Sequence, residues 1–491
     1  MQQVKGIKNL SELPKSGSEN SDLIVTMFNA TIKEFNLTSI FNILGCCKTK
    51  GFPVKDIFKT LFLLPFIEVS NIRNLYMCGF SKDVKCKKDA FYEFLNSSKI
   101  DWRRILMLFA KQFLSIAAKK SVDTCQNGLH KVLIIDDTIC PKTGKTIEFI
   151  GKVFDHTKHA YNLGMKVLTL GYWDGKSFIP LDFSIHNESG KKGLRGLKSK
   201  ELADQFTKDR PSTDASNARV IEITKSKIDV ALDMIKRAVS KGFSPNYVLA
   251  DSWFITEDFI KSILNISKNR PEKINVIGMM KTNRIIISGG RKYKANTISE
   301  VKSKDIVHCR SLKCQYIKII MTYKDIEMIG YFVRMNGQQN WTLLVTTDKT
   351  LHFINVMKIY QVRWSIEVFF KDVKQNLNFG KCQSTDFDAH IATLSLCFMN
   401  YMMLTLIKRF NECESLGIMF KSFKDKLLVQ TLEVKLWEIF TTIYIKILAA
   451  LGVQWEMFVS SLTNDDSLMN NIKQSLAFLF EINPNNPKNY A

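Results

Sequence analysis

The chain is short of acid. Its 491 residues include 47 Asp and Glu against 70 Lys and Arg, leaving a formal charge of +23. That imbalance points to a polyanionic partner, nucleic acid before an acidic membrane surface, although the many Lys, Asn and Ile also fit an AT-rich genome. The 11 cysteines contain no C-x-x-C pair. Cys46 and Cys47 are adjacent, and Cys309 and Cys314 have no partners at zinc-ligand spacing, so the thiols read as free ones in a reducing cytoplasm. The opening M-Q-Q-V-K-G-I-K-N-L has no apolar signal core. The apolar stretches Thr60–Val69 and Trp437–Val453 are too short or are interrupted by Glu438 and Lys446, so no membrane span is expected. With only 10 Pro, 45% hydrophobic residues and no internal repeat, the chain reads as mostly ordered, in two to four structural units.

Residues 1–22 are polar and read as a mobile tail. From 23 to 124 the apolar spacing is helical, with Ser97, Ser98 and Asp101 as candidate caps for W-R-R-I-L-M-L-F-A-K-Q-F-L; this is the candidate DNA-binding region, without a clean helix-turn-helix. The period then changes. K-V-L-I-I-D-D-T (131–138) reads as a buried strand ending in two carboxylates. A three-strand meander follows over 151–186, with a D-G turn at Asp174-Gly175. The loop S-G-K-K-G-L-R-G-L-K-S-K (189–200) lacks apolar anchors and reads as flexible; Lys191, Lys192 and Arg195 are candidate phosphate contacts. A helix over 219–241 leads to N-Y-V-L-A-D-S-W-F (246–254), a second strand ending on a carboxylate, Asp251. Alternating strands return over 273–347. The chain is helical again over 390–410 and 432–448, with a loose Asn/Pro-rich end.

The stretch Tyr360–Lys374, Y-Q-V-R-W-S-I-E-V-F-F-K-D-V-K, separates on a helical wheel into two faces. Tyr360, Arg363, Glu367, Lys371 and Lys374 share an arc of roughly 80°, opposite Ile359, Val362, Ile366, Phe369, Phe370 and Val373. One face enters a core; the other carries a single carboxylate among cations and a phenol. A solvated surface helix with a Glu367–Lys371 pair accounts for it less well. With Asp136 or Asp137, and Asp251, Glu367 makes an oxygen-only set suited to Mg²⁺ or Mn²⁺ rather than Zn²⁺. Two such ions suit phosphoryl transfer.

The spacing Y-x-x-R-x-x-x-E-x-x-x-x-x-x-K, met by Tyr360, Arg363, Glu367 and Lys374, resembles the signature of bacterial insertion-sequence DDE transposases of the insertion-sequence-four family. The D-D-T and L-A-D-S-W-F strands fit as well, and the likeness covers about residues 125–400. It implies an α/β, ribonuclease-H-like catalytic core over 125–390 with a β-rich insertion at about 273–347. Helical regions flank that core, the one at 391–491 a candidate for dimerisation. It implies Asp136, Asp251 and Glu367 as the metal-binding catalytic triad, with Asp137 an open competitor for Asp136. It implies Tyr360, Arg363 and Lys374 on DNA phosphates, with Lys371 beside them, and Trp341 or Trp253 stacked on a flipped base. The implied protein is a bacterial cytoplasmic, nucleoid-associated homodimer that cuts and joins double-stranded DNA at terminal inverted repeats, using Mg²⁺ or Mn²⁺. Two alternatives are a ribonuclease-H-like nuclease without strand transfer and a non-catalytic DNA-binding protein.

Overall fold

The computed structural model describes residues 51–67, 69–77, 86–120, 130–268 and 270–410, with isolated positions at 33–36, 40, 84, 416–417 and 420. The expected tail at 1–22, the helix at 432–448 and the Asn/Pro-rich end lie outside the described residues.

Among the described residues, the helices of six residues or more are α1 (Val54–Leu63), α2 (Ile72–Met77), α3 (Lys88–Leu95), α4 (Trp102–Lys120), α5 (Asn217–Thr224), α6 (Lys227–Ser240), α7 (Glu257–Ser267), α8 (Phe353–Gln361), α9 (Trp364–Asn376) and α10 (Phe387–Phe410). The strands are β1 (Val132–Pro141), β2 (Gly151–Asp155), β3 (Ala160–Trp173), β4 (Phe178–His186), β5 (Tyr247–Ala250), β6 (Asn275–Met280), β7 (Ile285–Ser288), β8 (Arg291–Lys294), β9 (Val307–Cys309), β10 (Cys314–Tyr323), β11 (Ile326–Met335) and β12 (Thr342–Thr346).

The twelve strands among the described residues join one mixed sheet in the order β2-β3-β1-β5-β6-β12-β11-β10-β7-β8, with β4 on β3 and β9 on β10. β1 pairs antiparallel with β3 and parallel with β5, and β5 pairs parallel with β6. The expected meander is β2, β3 and β4, and Asp174-Gly175 makes the turn. Gly175 sits at φ +103°, and Asp174 Oδ1 accepts the amides of Lys176 and Ser177. The strands of 273–347 are not a separate layer. β12 pairs with β6, so they extend the central sheet.

Three other expectations change. β1 does not stop at the two carboxylates but runs on to Pro141, because its antiparallel pairing with β3 outlasts the short β5. The helix expected over 219–241 is two, α5 and α6, broken at Lys225-Ser226, where the Ser226 hydroxyl caps α6 by accepting from Asp229 N. The 189–200 loop is anchored: Leu197 is buried, Arg195 O accepts Lys152 N at 2.8 Å, and the Arg195 guanidinium donates to Gln205 Oε1 at 2.6 Å. At α4, Asp101 is the cap, its Oδ1 accepting Arg104 N at 2.9 Å, while the Ser98 hydroxyl goes to Asp214.

α10 is long and apolar enough to cross a membrane, but 89% of its apolar window is buried inside the protein. It reads better as a core helix, and it packs on the element that matters most for the site: Phe369 of α9 meets Phe398 and Tyr401 of α10 at 4.9 and 4.7 Å and Phe178 of β4 at 5.2 Å. Ile366, Phe369, Phe370 and Val373 are buried, as the wheel predicts.

A buried ionic knot fixes the helices to β4. Asp182, fully buried, accepts from Arg103 of α4 at 3.0 Å, Arg219 of α5 at 3.3 Å and Arg237 of α6 at 2.8 Å. Glu222 shares Arg103 at 2.7 Å. Burial alone would push the Asp182 carboxyl up; the three guanidinium groups outweigh it and hold it down at about 2. The sign follows: a depressed carboxylate stabilises the fold above its unfolded value near 4, and that contribution, about 2 kcal/mol, is lost as pH falls from about 4 through about 2. Asp182→Asn leaves buried arginine charge uncompensated and should cost roughly 3–5 kcal/mol, read as a lower urea midpoint at neutral pH. An unchanged midpoint would contradict the knot's role.

Candidate active site

Register builds the site. Ile134 lies opposite Leu249 in the parallel β1–β5 pair, so two residues on, Asp136 lies level with Asp251, just past the end of β5. Gly278 on β6 lets the strands close up there: a Cβ at that position would come within 2.8 Å of Ala250 O and 2.4 Å of the Ile255 side chain. Successive β1 side chains alternate in face. Asp136 and Thr138 therefore point one way, toward α9, and Asp137 the other.

Asp136 and Glu367 meet on one cation. Arg363 donates from Nη1 to Asp136 Oδ2 at 2.9 Å and from Nη2 to Glu367 Oε1. Farther along the same face, Lys374 Nζ donates to Thr138 Oγ1 at 2.6 Å. Asp251 Oδ1 accepts the backbone amide of Trp253 at 3.0 Å. Asp136 Oδ1 accepts the Asp137 amide at 2.8 Å. Burial has the largest effect on the Asp136 carboxyl and pushes it up; Arg363 opposes this, Asp251 and Asp137 add to it, and the outcome is about 7. Tyr360 lies at the same place. Burial first, against Arg363 and with Asp251, pushes its phenol up to about 12, and it accepts the Met279 amide.

Tyr360–Lys374 is not one continuous helix. α8 ends at Gln361 and α9 starts at Trp364, joined by tight i→i−3 bonds from Val362 N to Ile359 O and from Arg363 N to Tyr360 O. The step still leaves Tyr360 beside Arg363, whose guanidinium lies 5.9 Å from the ring. Glu367 pairs with Arg363, one turn back, and not with Lys371. Lys371 is exposed and acts electrostatically on Asp372 instead. An Arg at i−4 reaches Asp136 and Glu367 together, which Lys371 on the outer turn does not.

Asp137 has a separate partner. Lys227, the first residue of α6, bonds its carboxylate and sits 4.4 Å from the centre of the Trp253 ring. Trp253 is 41% exposed. Lys227 escaped the sequence reading because nothing in S-K-S-K distinguishes it from other surface lysines. Trp341, half-buried, precedes β12, whose Leu343 lies opposite Met280. It is therefore at the sheet end shared with Asp251, with Arg334 stacked on it at 4.6 Å. Lys191 and Lys192 are exposed in the anchored loop. That loop packs on β2, whose Gly151 pairs with Gly164, the partner of Pro141 at the far end of β1. The structure thus brings Asp136, Asp251, Tyr360, Arg363 and Glu367 together, sets Lys374, Asp137 and Trp253 beside them, and leaves Lys371, Lys191, Lys192 and Arg195 apart.

As the side chains stand, no three His, Cys, Asp or Glu among the described residues are arranged to hold a metal ion. The donor chemistry nonetheless fits a hard divalent cation. Two carboxylates, Asp136 and Asp251, act on each other, and a third, Glu367, shares a positive charge with the first. Arg363 supplies the positive charge between two of these carboxylates, Asp136 and Glu367.

A family model described as DDE superfamily endonuclease matches residues 74–269. That span contains Asp136 and Asp251 on β1 and after β5, and ends before Glu367. The chain is similar to DDE endonucleases. The match supports a DDE nuclease- or transposase-like family with phosphoryl-transfer chemistry, and such nucleases typically use divalent metal ions. No curated protein matches the chain. Among solved structures, one similar chain is Ciona intestinalis endonuclease V in complex with a 24mer DNA containing an inosine followed by a ribo-adenosine. It is 12% identical, covers 54% of this chain and 98% of its own, and has a TM-score of 0.24, too low to bear on the fold or the site.

The DDE-like site makes one thermodynamic prediction. Among the described residues, Arg363 is the one cation bonded to both carboxylates, so Arg363→Met without metal should lose about 1–3 kcal/mol and melt at lower temperature. Mg²⁺ should then raise its Tm more than that of the native protein, because no guanidinium competes. Equal Mg²⁺ effects on both would count against a metal seat at Arg363.

Proposed function

We propose that the protein is a DDE transposase of the insertion-sequence-four kind, which binds the ends of a DNA element and catalyses metal-dependent cleavage and strand transfer. The observation that carries this reading is Arg363 bridging Asp136 and Glu367 with Asp251 alongside. The sheet order supports a ribonuclease-H-like core: antiparallel strands β4, β3 and β1, then β5 and β6 parallel to β1. The charge of +23 supports a DNA partner, and the region 23–124 is assigned to end recognition.

Mg²⁺ or Mn²⁺, two ions held by Asp136, Asp251 and Glu367, would supply the activated oxygen nucleophile and the stabilised leaving oxygen of phosphoryl transfer. The chain's own groups do the rest. Arg363, freed from its carboxylates, reaches the phosphate next to the cut, and its planar fork suits two phosphate oxygens. Lys374 leaves the Thr138 hydroxyl for a neighbouring phosphate. Tyr360, protonated with its phenol at about 12, can donate a hydrogen bond to a phosphate. Trp253 and Trp341 offer ring faces to an unpaired base once Lys227 and Arg334 withdraw. Synapsis of two ends uses a homodimer.

The matched family's description favours a second reading, an endonuclease that does not join ends. One assay separates them: purified protein, double-stranded DNA carrying the element's own inverted repeat, Mg²⁺ and a target duplex. The transposase reading predicts cleavage followed by joining of the 3′-hydroxyl end to target, the endonuclease reading cleavage alone. Asp136→Ala, Asp251→Ala and Glu367→Ala should each lower cleavage by roughly a hundredfold or more, and Asp137→Asn by much less. Cleavage that survives the first three substitutions would sink the assignment of the site.

A further inference from the structure

Two cysteines that read as free thiols face each other across a ladder. Among the described strands, β9 pairs with β10 alone, and its register sets Cys309 directly opposite Cys314, His308 opposite Gln315 and Val307 opposite Tyr316. Directly opposed residues of an antiparallel pair point to the same face, and their Cα atoms stand about 4.5 or 5.5 Å apart according to their place in the ladder. Both spacings fall within the roughly 4.4–6.8 Å that a disulfide spans. The turn at 310–313 already brings the two strands together, so a bond between the sulfurs closes only a short loop.

The two sulfurs are not equivalent. Cys309 is half-buried, and its Sγ lies 3.3 Å from the Ser311 hydroxyl. That hydroxyl, opposed by slight burial and helped by the Leu312 amide, holds the Cys309 thiol below its ordinary value. Cys314 is 3% exposed, and burial first, then the neighbouring Cys309, pushes its thiol up. Cys309 is therefore the sulfur that meets a reagent, and Cys314 the one that resolves the adduct.

The pair also sits beside a polar chain that ends on Trp341. Gln315 Nε2 lies 3.4 Å from His308 Nδ1, Gln315 Oε1 accepts from Arg334 Nη2 at 2.5 Å, and Arg334 stacks on the Trp341 ring at 4.6 Å. The turn at 310–313 is tied to the segment leading to Trp341, because Lys313 O accepts the Asn336 amide at 3.0 Å.

We propose that Cys309 and Cys314 form a reversible redox clamp: a low-molecular-weight disulfide oxidises them to a cross-strand disulfide that fixes β9 on β10 and steadies the segment leading to Trp341. The Cys309 thiol gives its proton to solvent, and the thiolate attacks one sulfur of the reagent. The reagent's S–S bond breaks as the mixed disulfide forms, and half of the reagent takes up a proton and leaves as a thiol. Cys314 then loses its proton and attacks the Cys309 sulfur, and the other half of the reagent leaves as a second thiol. Two protein thiols are oxidised, and one reagent disulfide is reduced to two thiols. A dithiol reductant reverses the sequence, so in a reducing compartment the closed form is transient.

The test exposes the whole protein, freed of reductant, to glutathione disulfide near neutral pH and maps its cysteines by mass spectrometry. Trypsin cuts after Lys304, Arg310, Lys313 and Lys318, so the clamp appears as peptide 305–310 linked to peptide 314–318. The linked pair should form roughly tenfold or more faster than a glutathione adduct at Cys397, whose thiol burial pushes well above its ordinary value, and dithiothreitol should remove it. In Cys314→Ala the reaction should stop at a glutathione adduct on Cys309, and in Cys309→Ser no adduct should form at Cys314. Amide hydrogen exchange of the oxidised native protein should slow by roughly tenfold or more in β9 and over 336–341. None of these readouts uses DNA, so they stand apart from the proposed function, and the native protein decides the matter even if a variant fails to fold. Absence of the linked pair, attack at Cys314 before Cys309, or unchanged exchange in either segment after oxidation would overturn the proposal.

Discussion

One guanidinium holds the site together. Arg363 lies 227 residues from Asp136 in sequence and four from Glu367, and it bonds both. Without a cation between them, a half-buried Asp136, level with Asp251 and sharing a face with Glu367, would concentrate negative charge that burial makes expensive. The rise of the Asp136 carboxyl to about 7 shows that one arginine does not fully offset it. A site in that condition favours further positive charge, and a divalent ion with oxygen ligands is the form that best suits three carboxylates and no soft donor.

The rest of the fold serves to hold β1, β5 and α9 in register around that charge. The apolar face of α9 is clamped by Phe178, Phe398 and Tyr401 around Phe369, which fixes the turn on which Glu367 stands. The Asp182 knot draws α4, α5 and α6 onto β4, and β4 in turn backs β3 and β1. Cations play two different parts here. Those on Asp182 are locked among buried partners and belong to the structure. Arg363, Lys374 and Lys227 bond Asp136 and Glu367, Thr138, and Asp137 at partly exposed positions, and under the proposed function they exchange these partners for phosphates.

Much of this was legible in the sequence, and the failures have physical causes. The strands carrying Asp136 and Asp251 announced themselves by β-branched runs ending in carboxylates, and the buried face of α9 by its spacing. The helix breaks at Lys225-Ser226 and at Val362-Arg363 were not visible, because neither carries Pro or Gly and the apolar period crosses both. The length of β1 was misread because strand length depends on the partner, and β3 supplies pairing that β5 does not. The packed loop at 189–200 was hidden because its anchor is one leucine and a run of backbone and guanidinium bonds. The choice between Asp136 and Asp137 turns on which face of β1 meets α9, a tertiary fact. Lys227 had no local signal at all.

We propose that a divalent ion takes the place Arg363 holds between Asp136 and Glu367. The most direct measurement is a crystal structure of the protein soaked in Mn²⁺, with anomalous scattering locating the ion. The account predicts manganese bound at about 2.1–2.2 Å by carboxylate oxygens of Asp136, Asp251 and Glu367, with Arg363 displaced from both of its carboxylates. Saturating Mn²⁺ that leaves the Asp136–Arg363–Glu367 bridge intact, with the ion elsewhere, would contradict it.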